Sequence, residues 1–210
     1  MEKTAQQDYL QEIYRLQQEK NMPAEVSDLS ARLSVSRPSV TEMVRRLSRD
    51  GYVTHRRYGG ITLTAKGLAQ ASKFIRRHRI IETFLRNILG LDDVHEDAHN
   101  LEHAMSDTVI DRLAKAAKMP KTCPHGSPIP AKNARITTLD KVAPGTDMRI
   151  IMSDISDENT CKRLTSLGLV PNSIVAVKKK LRGGPMMIEV GGSEIAIGLD
   201  IVRHIYAEAA

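Results

Sequence analysis

Four residues with metal-binding side chains lie close together in one stretch of the chain: His95, His99, Glu102 and His103. At about 100° per residue they fall within a sector of roughly 100° on a helix, so all four can face the same way. Imidazole nitrogens and carboxylate oxygens in this arrangement are typical ligands of Mn, Fe, Co, Ni or Zn. A single pair at this spacing is more often a surface salt bridge, but four donors on one face favour a divalent-metal site.

Further donors lie on either side of this stretch. His78 and Glu82 are four residues apart and therefore share one face of the preceding helix. Cys123 and His125 place a thiolate donor and an imidazole donor in a Pro-rich segment, which predicts a mobile linker. Cys161 is expected to be a small core residue. Two cysteines give no disulfide framework, which is typical of a reducing compartment.

An enzyme could use the same donors. A hydrolytic metal site needs an open coordination position in a substrate cleft and usually a general base. Hydrolysis would, however, leave the charge pattern of the preceding segment unexplained. A metallohydrolase is therefore the alternative from another class, and it predicts turnover of phosphoesters or peptides by the metal-loaded protein.

Charge is unevenly distributed along the chain, whose net charge is +6. The segment from Arg45 to Arg79 holds ten basic residues and a single acid, Asp50. An acidic cluster follows shortly after this segment. This segregation predicts an anionic partner for the first segment and a cation for the second. The basic residues are Arg45, Arg46, Arg49, Arg56, Arg57, Lys66, Lys73, Arg76, Arg77 and Arg79, and the acidic ones are Asp92, Asp93, Glu96 and Asp97.

The elements before residue 65 have the order of a winged helix-turn-helix. Helical spacing over 5–20 and from Glu25 to Leu33 predicts two helices. A third helix is expected to start after an N-cap at Ser36, with Pro38 in its first turn, and to end at Gly51. Alternating residues over 52–64, with a Gly-Gly turn, predict a basic hairpin. In such a fold the second helix of the pair enters the major groove of DNA.

The outer side of this helix and the hairpin carry side chains suited to double-stranded DNA. Arginines would contact phosphates and give a salt-sensitive affinity, whereas short polar side chains could touch base edges. The predicted DNA-binding residues are Ser36, Arg37, Pro38, Ser39, Thr41, Glu42, Arg45, Arg46, Arg56 and Arg57.

Two long helices are predicted next, from Ala65 to Leu89 and from Val94 to Lys118, the second capped again at Ser106. Their broad apolar surface suits a homodimer, because a DNA reader of this type needs two half-sites. After residue 136, short β-like runs and frequent glycines predict a small β-barrel. The runs are Asp147–Met152, Ser173–Leu181, Met186–Val190 and Glu194–Ile197, with one helix over Glu158–Leu167.

These elements give a mainly α fold with some β structure. The expected parts are a winged helix-turn-helix over 1–64, a helical dimerisation and metal-binding domain over 65–120, a Pro-rich linker over 121–135 and a small SH3-like β-barrel over 136–210. No apolar run approaches the roughly 18 residues of a membrane span, and the N-terminus lacks the pattern of a signal peptide. A cytoplasmic protein without a membrane partner is expected.

The chain resembles the diphtheria-toxin-repressor family of iron- and manganese-dependent regulators over essentially its whole length. The C-terminal part is similar to the SH3-like, or ferrous-iron-transport A, domain of the longer members. The resemblance rests on these motifs: Asp8-Tyr9-Leu10-x2-Ile13-Tyr14, Ser36-Arg37-Pro38-Ser39-Val40-Thr41, Leu63-Thr64-x2-Gly67, Arg77-His78-Arg79-x2-Glu82, Glu102-His103-x-Met105-Ser106-Asp107, the CPHGSPIP linker, Arg163-Leu164-x2-Leu167-Gly168-Leu169-x-Pro171 and Gly183-Gly184-Pro185.

The resemblance implies two metal sites and a metal cofactor, Mn(II) or Fe(II). The primary site would comprise Asp8, His99, Glu102 and His103, so that metal ties the first helix to the dimer domain. The second site would comprise His78, Glu82 and His95. In some members of the family, further ligands from the linker and the C-terminal barrel complete this site. In this chain the completing residues would be Cys123 and His125, with Asp157, Glu158 or neither.

The choice between the two metals stays open at this point. Asp8 stands where iron sensors of the family carry Met, and its hard carboxylate favours Mn(II). However, position 99 is His rather than Cys or Glu, and Gln11 stands where manganese sensors have a second Glu. The site therefore matches neither type fully, with a slight preference for manganese.

Metal-dependent co-repression is the mechanism that the resemblance implies. A dimer would bind a palindromic operator, with its recognition helices about 34 Å apart, and repress genes of metal homeostasis. Because ligand histidines must be neutral, metal binding should weaken below about pH 6. The alternative within the same class is a winged-helix regulator that responds to redox state through Cys123, or to another ligand.

Overall fold

The computed structural model describes residues 2–57, 59–132 and 135–210. It divides into two compact units: the helical unit, residues 1–7 and 70–133, and the winged-helix unit, residues 8–69 and 134–210. Tyr58 of the predicted hairpin, and Asn133 and Ala134 of the predicted linker, lie outside the described residues.

The winged-helix unit contains the expected helix-turn-helix. Helix α1 (Glu2–Lys20) is followed by α2 (Val26–Arg32) and α3 (Arg37–Arg49). Ser36 caps α3, because its hydroxyl accepts a hydrogen bond from the backbone N–H of Ser39 at 3.3 Å. The inner face of α3 is fully buried at Val40, Val44 and Leu47, which leaves the opposite face to solvent.

The wing is a two-stranded antiparallel hairpin of β1 (Val53–Arg56) and β2 (Gly60–Leu63). The backbones of Ala24 and Ile61 exchange two hydrogen bonds, of 2.9 and 2.8 Å. This pairing attaches the wing to the segment before α2. The predicted winged helix-turn-helix is therefore confirmed.

Three helices follow: α4 (Ala65–Asn87), α5 (His95–Ala104) and α6 (Asp107–Ala116). The predicted second cap is present, since the Ser106 hydroxyl accepts from the backbone N–H of Val109 at 3.3 Å. The helical unit has its own apolar core, which includes Ile81, Ala98 and Ile110. These helices carry all the donors that the sequence placed on helices after residue 70.

The C-terminal part of the winged-helix unit is a six-stranded antiparallel sheet with strand order β3-β8-β4-β5-β6-β7. Four of its strands were predicted to within about one residue. The short β3 and α8 and the last strand, β8, were missed. The elements are β3 (Thr137–Thr138), a 3-10 turn (Leu139–Lys141), β4 (Thr146–Ser153), α7 (Glu158–Ser166), β5 (Ile174–Lys180), β6 (Met186–Val190), β7 (Ser193–Ile197), α8 (Leu199–Val202) and β8 (Ile205–Ala209).

Gln17 joins three elements of the winged-helix unit. Its side chain is 2% exposed. Its Oε1 accepts from the backbone N–H of Leu63 in the wing at 3.0 Å, and its Nε2 donates to the carbonyl of Ser153 in β4 at 3.2 Å. A β-bulge in β4 leaves the carbonyl of Ile151, two residues before Ser153, to accept a hydrogen bond from Gln18. The C-terminal sheet is thus hydrogen-bonded to the helix that supports the wing.

Replacing Gln17 by leucine should lower the free energy of unfolding by about 2–3 kcal/mol, because a buried N–H and a buried carbonyl each lose their partner. Urea denaturation measures the change. Gln70→Leu, the same exchange at a half-buried position of α4, serves as the control. Equal stability of the two variants would show that the Gln17 hydrogen bonds contribute nothing to the fold.

Within the described residues, no helix has both the length and the apolar character needed to cross a membrane.

Candidate metal centre

Two imidazoles of α5 flank a buried carboxylate of the same helix. We call His99, Glu102 and His103 the Glu102 cluster. Oε1 of Glu102 lies 3.2 Å from Nδ1 of His99 and 3.2 Å from Nε2 of His103. Glu102 itself is fully buried. A charge removed from water in this way requires compensation, which two imidazoles or a bound cation can supply.

The second oxygen of Glu102 faces a residue from α4. Oε2 of Glu102 lies 2.8 Å from Nδ1 of His78, which is itself buried. The sequence assigned these two residues to separate sites and did not predict their contact. The contact makes Glu102 common to both sets of donors.

The second set, which we call the Glu82 cluster, comprises His78, Glu82 and His95. Oε1 of Glu82 is 3.1 Å from Nε2 of His78 and 3.1 Å from Nδ1 of His95, and the two ring nitrogens are 3.2 Å apart. Burial alone would raise the pKa of Glu82, but hydrogen bonds from both histidines and the charge of His78 outweigh burial and lower the pKa to about 2. The carboxylate is therefore ionised and ready to bind a cation.

Cys123 and His125 lie at the same glutamate. Nδ1 of His125 is 3.7 Å from Oε2 of Glu82, and the donor atoms of Glu82, Cys123 and His125 all lie within 4.8 Å of one another. Cys123 is buried, whereas the His125 side chain is exposed. This places a sulfur donor next to the Glu82 cluster.

The segment carrying these two residues is folded, not mobile as the sequence suggested. The backbone N–H of Cys123 donates to the carbonyl of Ser127 at 2.9 Å, and Ile129 is buried in the helical core. Arg76 donates to the carbonyl of Pro130 at 2.9 Å. The breakers that exclude a helix here form a tight turn that packs against α4.

The donor atoms have the separations that a metal ion requires. Bonds of about 2.0–2.2 Å in tetrahedral or octahedral geometry put neighbouring ligand atoms about 2.8–3.6 Å apart. The distances in both clusters, 3.1–3.2 Å between the atoms that face each other, fall in this range. Mixed nitrogen and oxygen donors suit Mn(II), Fe(II) and Zn(II).

Known protein families match the N-terminal, middle and C-terminal parts of the chain separately. Three domain-family models match consecutive segments: the N-terminal DNA binding domain of iron dependent repressors over residues 2–61, their metal binding and dimerisation domain over 64–131, and the FeoA domain over 137–209. An iron-dependent repressor of Mycobacterium leprae is 30% identical over 219 residues, with 95% of each chain covered. The chain belongs to the family of iron-dependent repressors.

Solved structures of other metal-dependent regulators support this assignment. The iron-dependent repressor of T. acidophilum is 26% identical, with a TM-score of 0.55 and 97% of each chain covered. A manganese-dependent transcriptional repressor, solved in complex with manganese, is 28% identical, with a TM-score of 0.54, and the match covers 98% of this chain and all of that one. The predicted resemblance and fold class are both confirmed.

As expected for a DNA-binding member of the family, the outer face of α3 is open to solvent. Arg37, Pro38 and Ser39 are exposed in its first turn. Glu42 binds both Arg45 and Arg46, at 2.8 and 3.2 Å. On the wing, Nη1 of Arg56 donates to Oγ of Ser156 in the C-terminal part, at 2.9 Å. Of the other predicted contacts, Ser36, Thr41 and Arg57 also reach the surface.

Part of the basic segment serves the helical unit rather than DNA. Arg77 is buried and donates to the carbonyl of Glu102 at 2.8 Å. Arg76 and Arg79 donate to linker carbonyls, and Lys73 pairs with Asp107. The interpretation of the whole segment as facing an anionic partner is therefore wrong for the three arginines. The Arg77 guanidinium at the end of α5 complements the partial negative charge of the helix carbonyls.

The acidic cluster predicted to attract a cation is exposed, and among the described residues it contributes to none of the groups that could hold a metal. Asp157 caps α7 by accepting from the N–H of Thr160 at 2.8 Å, and Glu158 pairs with Lys162. Asp8 lies half-buried on α1 and is the first residue of the winged-helix unit. A role for Asp8, Asp157 or Glu158 as a ligand stays a prediction.

Gln7 is a residue near the centre that the sequence did not indicate. Its Oε1 lies 2.8 Å from Nδ1 of His103. The ring of Phe74 in α4 packs against the same imidazole, with 5.8 Å between ring centroids. A glutamine in a helix carries no spacing signal, so only the folded structure could show this contact.

Proposed function

We propose that this chain is a transcriptional repressor that binds a palindromic operator as a homodimer when Mn(II) or Fe(II) occupies its helical unit. The observation that carries the proposal is the fully buried Glu102 carboxylate between two imidazoles at 3.2 Å, in a family of metal-dependent DNA-binding regulators. Its function would be control of metal homeostasis genes, in the cytoplasm where its DNA operator lies. The family comprises DNA-binding regulators rather than metallohydrolases.

The proposed primary ligands are Asp8, His99, Glu102 and His103. A bound metal ion would place a positive charge beside the buried Glu102 carboxylate. Oε1 of Glu102 lies 3.2 Å from a nitrogen of each imidazole, so the three donors are close enough to bind one cation. Asp8 follows Gln7, whose side chain touches His103, which supports the participation of this part of α1.

The proposed second site comprises His78, Glu82, His95, Cys123 and His125. Its ionised glutamate and its three imidazoles suit Mn(II) or Fe(II), and its thiolate adds affinity for softer ions. Because His78 contacts Glu102, the second site also orients a ligand of the first. The contacts of Asp157 and Glu158 within α7 favour a site without them.

DNA binding is assigned to α3 and the wing. The exposed apolar residues Ile88, Leu89 and Leu91 after α4 suit a contact between two copies of the helical unit. In a dimer the two α3 helices would occupy successive turns of the major groove. The proposed domains of the chain are a winged helix-turn-helix over 1–64, a helical domain over 65–120, a linker over 121–135 and an SH3-like domain over 136–210. The proposed contacts are Ser36, Arg37, Pro38, Ser39, Thr41, Glu42, Arg45, Arg46, Arg56 and Arg57.

Fluorescence anisotropy tests the proposal. Protein stripped of metal by a chelator is titrated onto its own upstream DNA in the presence of Mn(II), anaerobic Fe(II) or Zn(II). We expect binding that requires Mn(II) or Fe(II) and that falls steeply with salt. Equally tight binding with and without metal would contradict the proposal and make both clusters structural.

A redox response through Cys123 is the rival function, and it makes a different prediction. We expect Cys123→Ser to keep its DNA-binding response to Mn(II), because a thiolate contributes little to binding a hard ion. Its affinity for Zn(II), measured by competition with a chelator, should fall by roughly 10-fold or more. Cys161→Ser, which changes the other buried cysteine, is the control. Loss of an oxidant-dependent change in DNA binding, specific to Cys123→Ser, would favour the redox function.

A further inference from the structure

We infer that Ser156 is a positioning residue for DNA binding, which holds Arg56 of the wing in the orientation that meets a phosphate. The inference deepens the proposed function and rests on it for the consequence at DNA. Its structural part, the contact between the wing and the C-terminal sheet domain, concerns the protein without DNA or metal. It gives the C-terminal part of the chain a role in binding the operator.

The loop 154–157, which connects β4 to α7, is anchored on both sides to the end of α1. Gln17 and Gln18 donate to backbone carbonyls of β4. Asn21, the residue after α1, donates through Nδ2 to Oγ1 of Thr165 in α7 at 3.0 Å. The loop is therefore held close to the segment that pairs with the wing.

Ser156 lies in this loop and contacts the wing at two points. Its Oγ accepts a hydrogen bond from Nη1 of Arg56 at 2.9 Å. Its Cβ would lie 2.8 Å from a Cβ atom placed at Gly59, which is closer than two carbon atoms normally approach. A glycine at position 59 therefore lets the turn of the wing come close enough to the loop for the Arg56 bond.

The contact orders the Arg56 side chain without using up its guanidinium. Arg56 is exposed, and a long exposed side chain loses conformational entropy when binding orders it. The bond to Ser156 orders the side chain in the DNA-free protein, so less entropy is lost at the phosphate. A guanidinium has further N–H groups that can donate to a phosphate, and a neutral hydroxyl leaves its positive charge intact.

The acidic side chains on either side of Ser156 bind groups within the C-terminal part. The pairs are Asp154 with His204, Asp157 with Thr160 and Glu158 with Lys162. Among the described residues, none of these acids pairs with Arg56. A carboxylate bound to Arg56 would compete with DNA phosphates for it, whereas a hydroxyl does not. The arrangement therefore favours positioning of Arg56 over its removal from DNA.

The first experiment is NMR relaxation of the metal-free, full-length protein with labelled arginine side chains, without DNA. We expect the Nε–H group of Arg56 to be ordered in the wild type, with an order parameter that falls below about 0.6 in Ser156→Ala. Ser193→Ala, the same exchange at an exposed position of β7, should leave Arg56 unchanged. An Arg56 side chain that is equally mobile in the wild type and in Ser156→Ala would overturn the inference.

The second experiment measures operator affinity by anisotropy in excess Mn(II). Ser156→Ala should bind DNA about 3- to 10-fold more weakly, through loss of one hydrogen bond. In an Arg56→Ala background the same exchange should have no further effect, because Ser156 acts through Arg56. Ser193→Ala is again the control.

Three results of the second experiment would contradict the role of Ser156. An equal loss in both backgrounds would make Ser156 merely structural, tighter binding by Ser156→Ala would show that the contact withholds Arg56 from DNA, and unchanged binding would show that the contact does not affect DNA. Failure of the proposed function would look different: Arg56 would still be ordered by Ser156, but DNA binding by the wild type would not respond to metal.

Discussion

Replacing Glu102 by glutamine should abolish the metal response of DNA binding. Both carboxylate oxygens are in use, Oε1 beside His99 and His103, and Oε2 beside His78. The amide nitrogen of glutamine cannot accept a hydrogen bond or bind a cation, so one of the two sets of contacts must fail. The neutral side chain also removes the negative charge that attracts a divalent ion into the helical unit. We expect Mn(II) affinity to fall by at least about 100-fold.

Chelator competition measures the affinity, and anisotropy on operator DNA measures the response. Glu96→Gln is a matched control, because it removes the same charge from an exposed position of the same helix. Circular dichroism of the metal-free variant should show an intact helical fold, since glutamine has almost the same shape as glutamate. A Glu102→Gln protein that still binds DNA only with metal would contradict the assignment of Glu102 as the central ligand.

Replacing Gly67 by alanine should abolish DNA binding while leaving metal binding intact. Gly67 lies in the first turn of α4, where a Cβ atom would be 1.9 Å from the carbonyl oxygen of Tyr52. The same carbonyl accepts hydrogen bonds from the N–H and hydroxyl of Thr64, at 3.0 and 3.1 Å, so it cannot move away without breaking both. The start of α4 must therefore separate from the base of the wing, at a cost of about 2–3 kcal/mol.

Thermal unfolding and anisotropy together test this prediction. We expect a lower melting temperature and weak DNA binding at any metal concentration, with Mn(II) affinity of the Glu102 cluster unchanged. Ala69→Gly, at an exposed position of the same helix, costs about 1 kcal/mol through helix propensity without a clash, and it should still bind DNA. Normal DNA binding by Gly67→Ala would show that the close contact with Tyr52 does not set the position of the wing.

The sequence by itself determined the features that depend on local chemistry. The spacing of His99, Glu102 and His103 places them on one side of any helix that includes them. Ser36 and Ser106 cap the helices that follow them, because a hydroxyl at that point satisfies an N–H left free by the helix. Alternating apolar and polar residues, together with the turn residues between them, predicted the wing and four strands of the C-terminal sheet.

Tertiary structure decided which partner each polar group meets. The spacing on α4 and α5 could not reveal that Glu102 shares its carboxylate with His78, or that Gln7 reaches His103, because each contact joins two different helices. Charge pattern alone predicted an anionic partner for the segment that contains Arg77, whereas packing directs its guanidinium inward to the end of α5. Local sequence sets the direction of a side chain on its own helix, but the group that it meets depends on how helices pack, and that is a property of the whole fold.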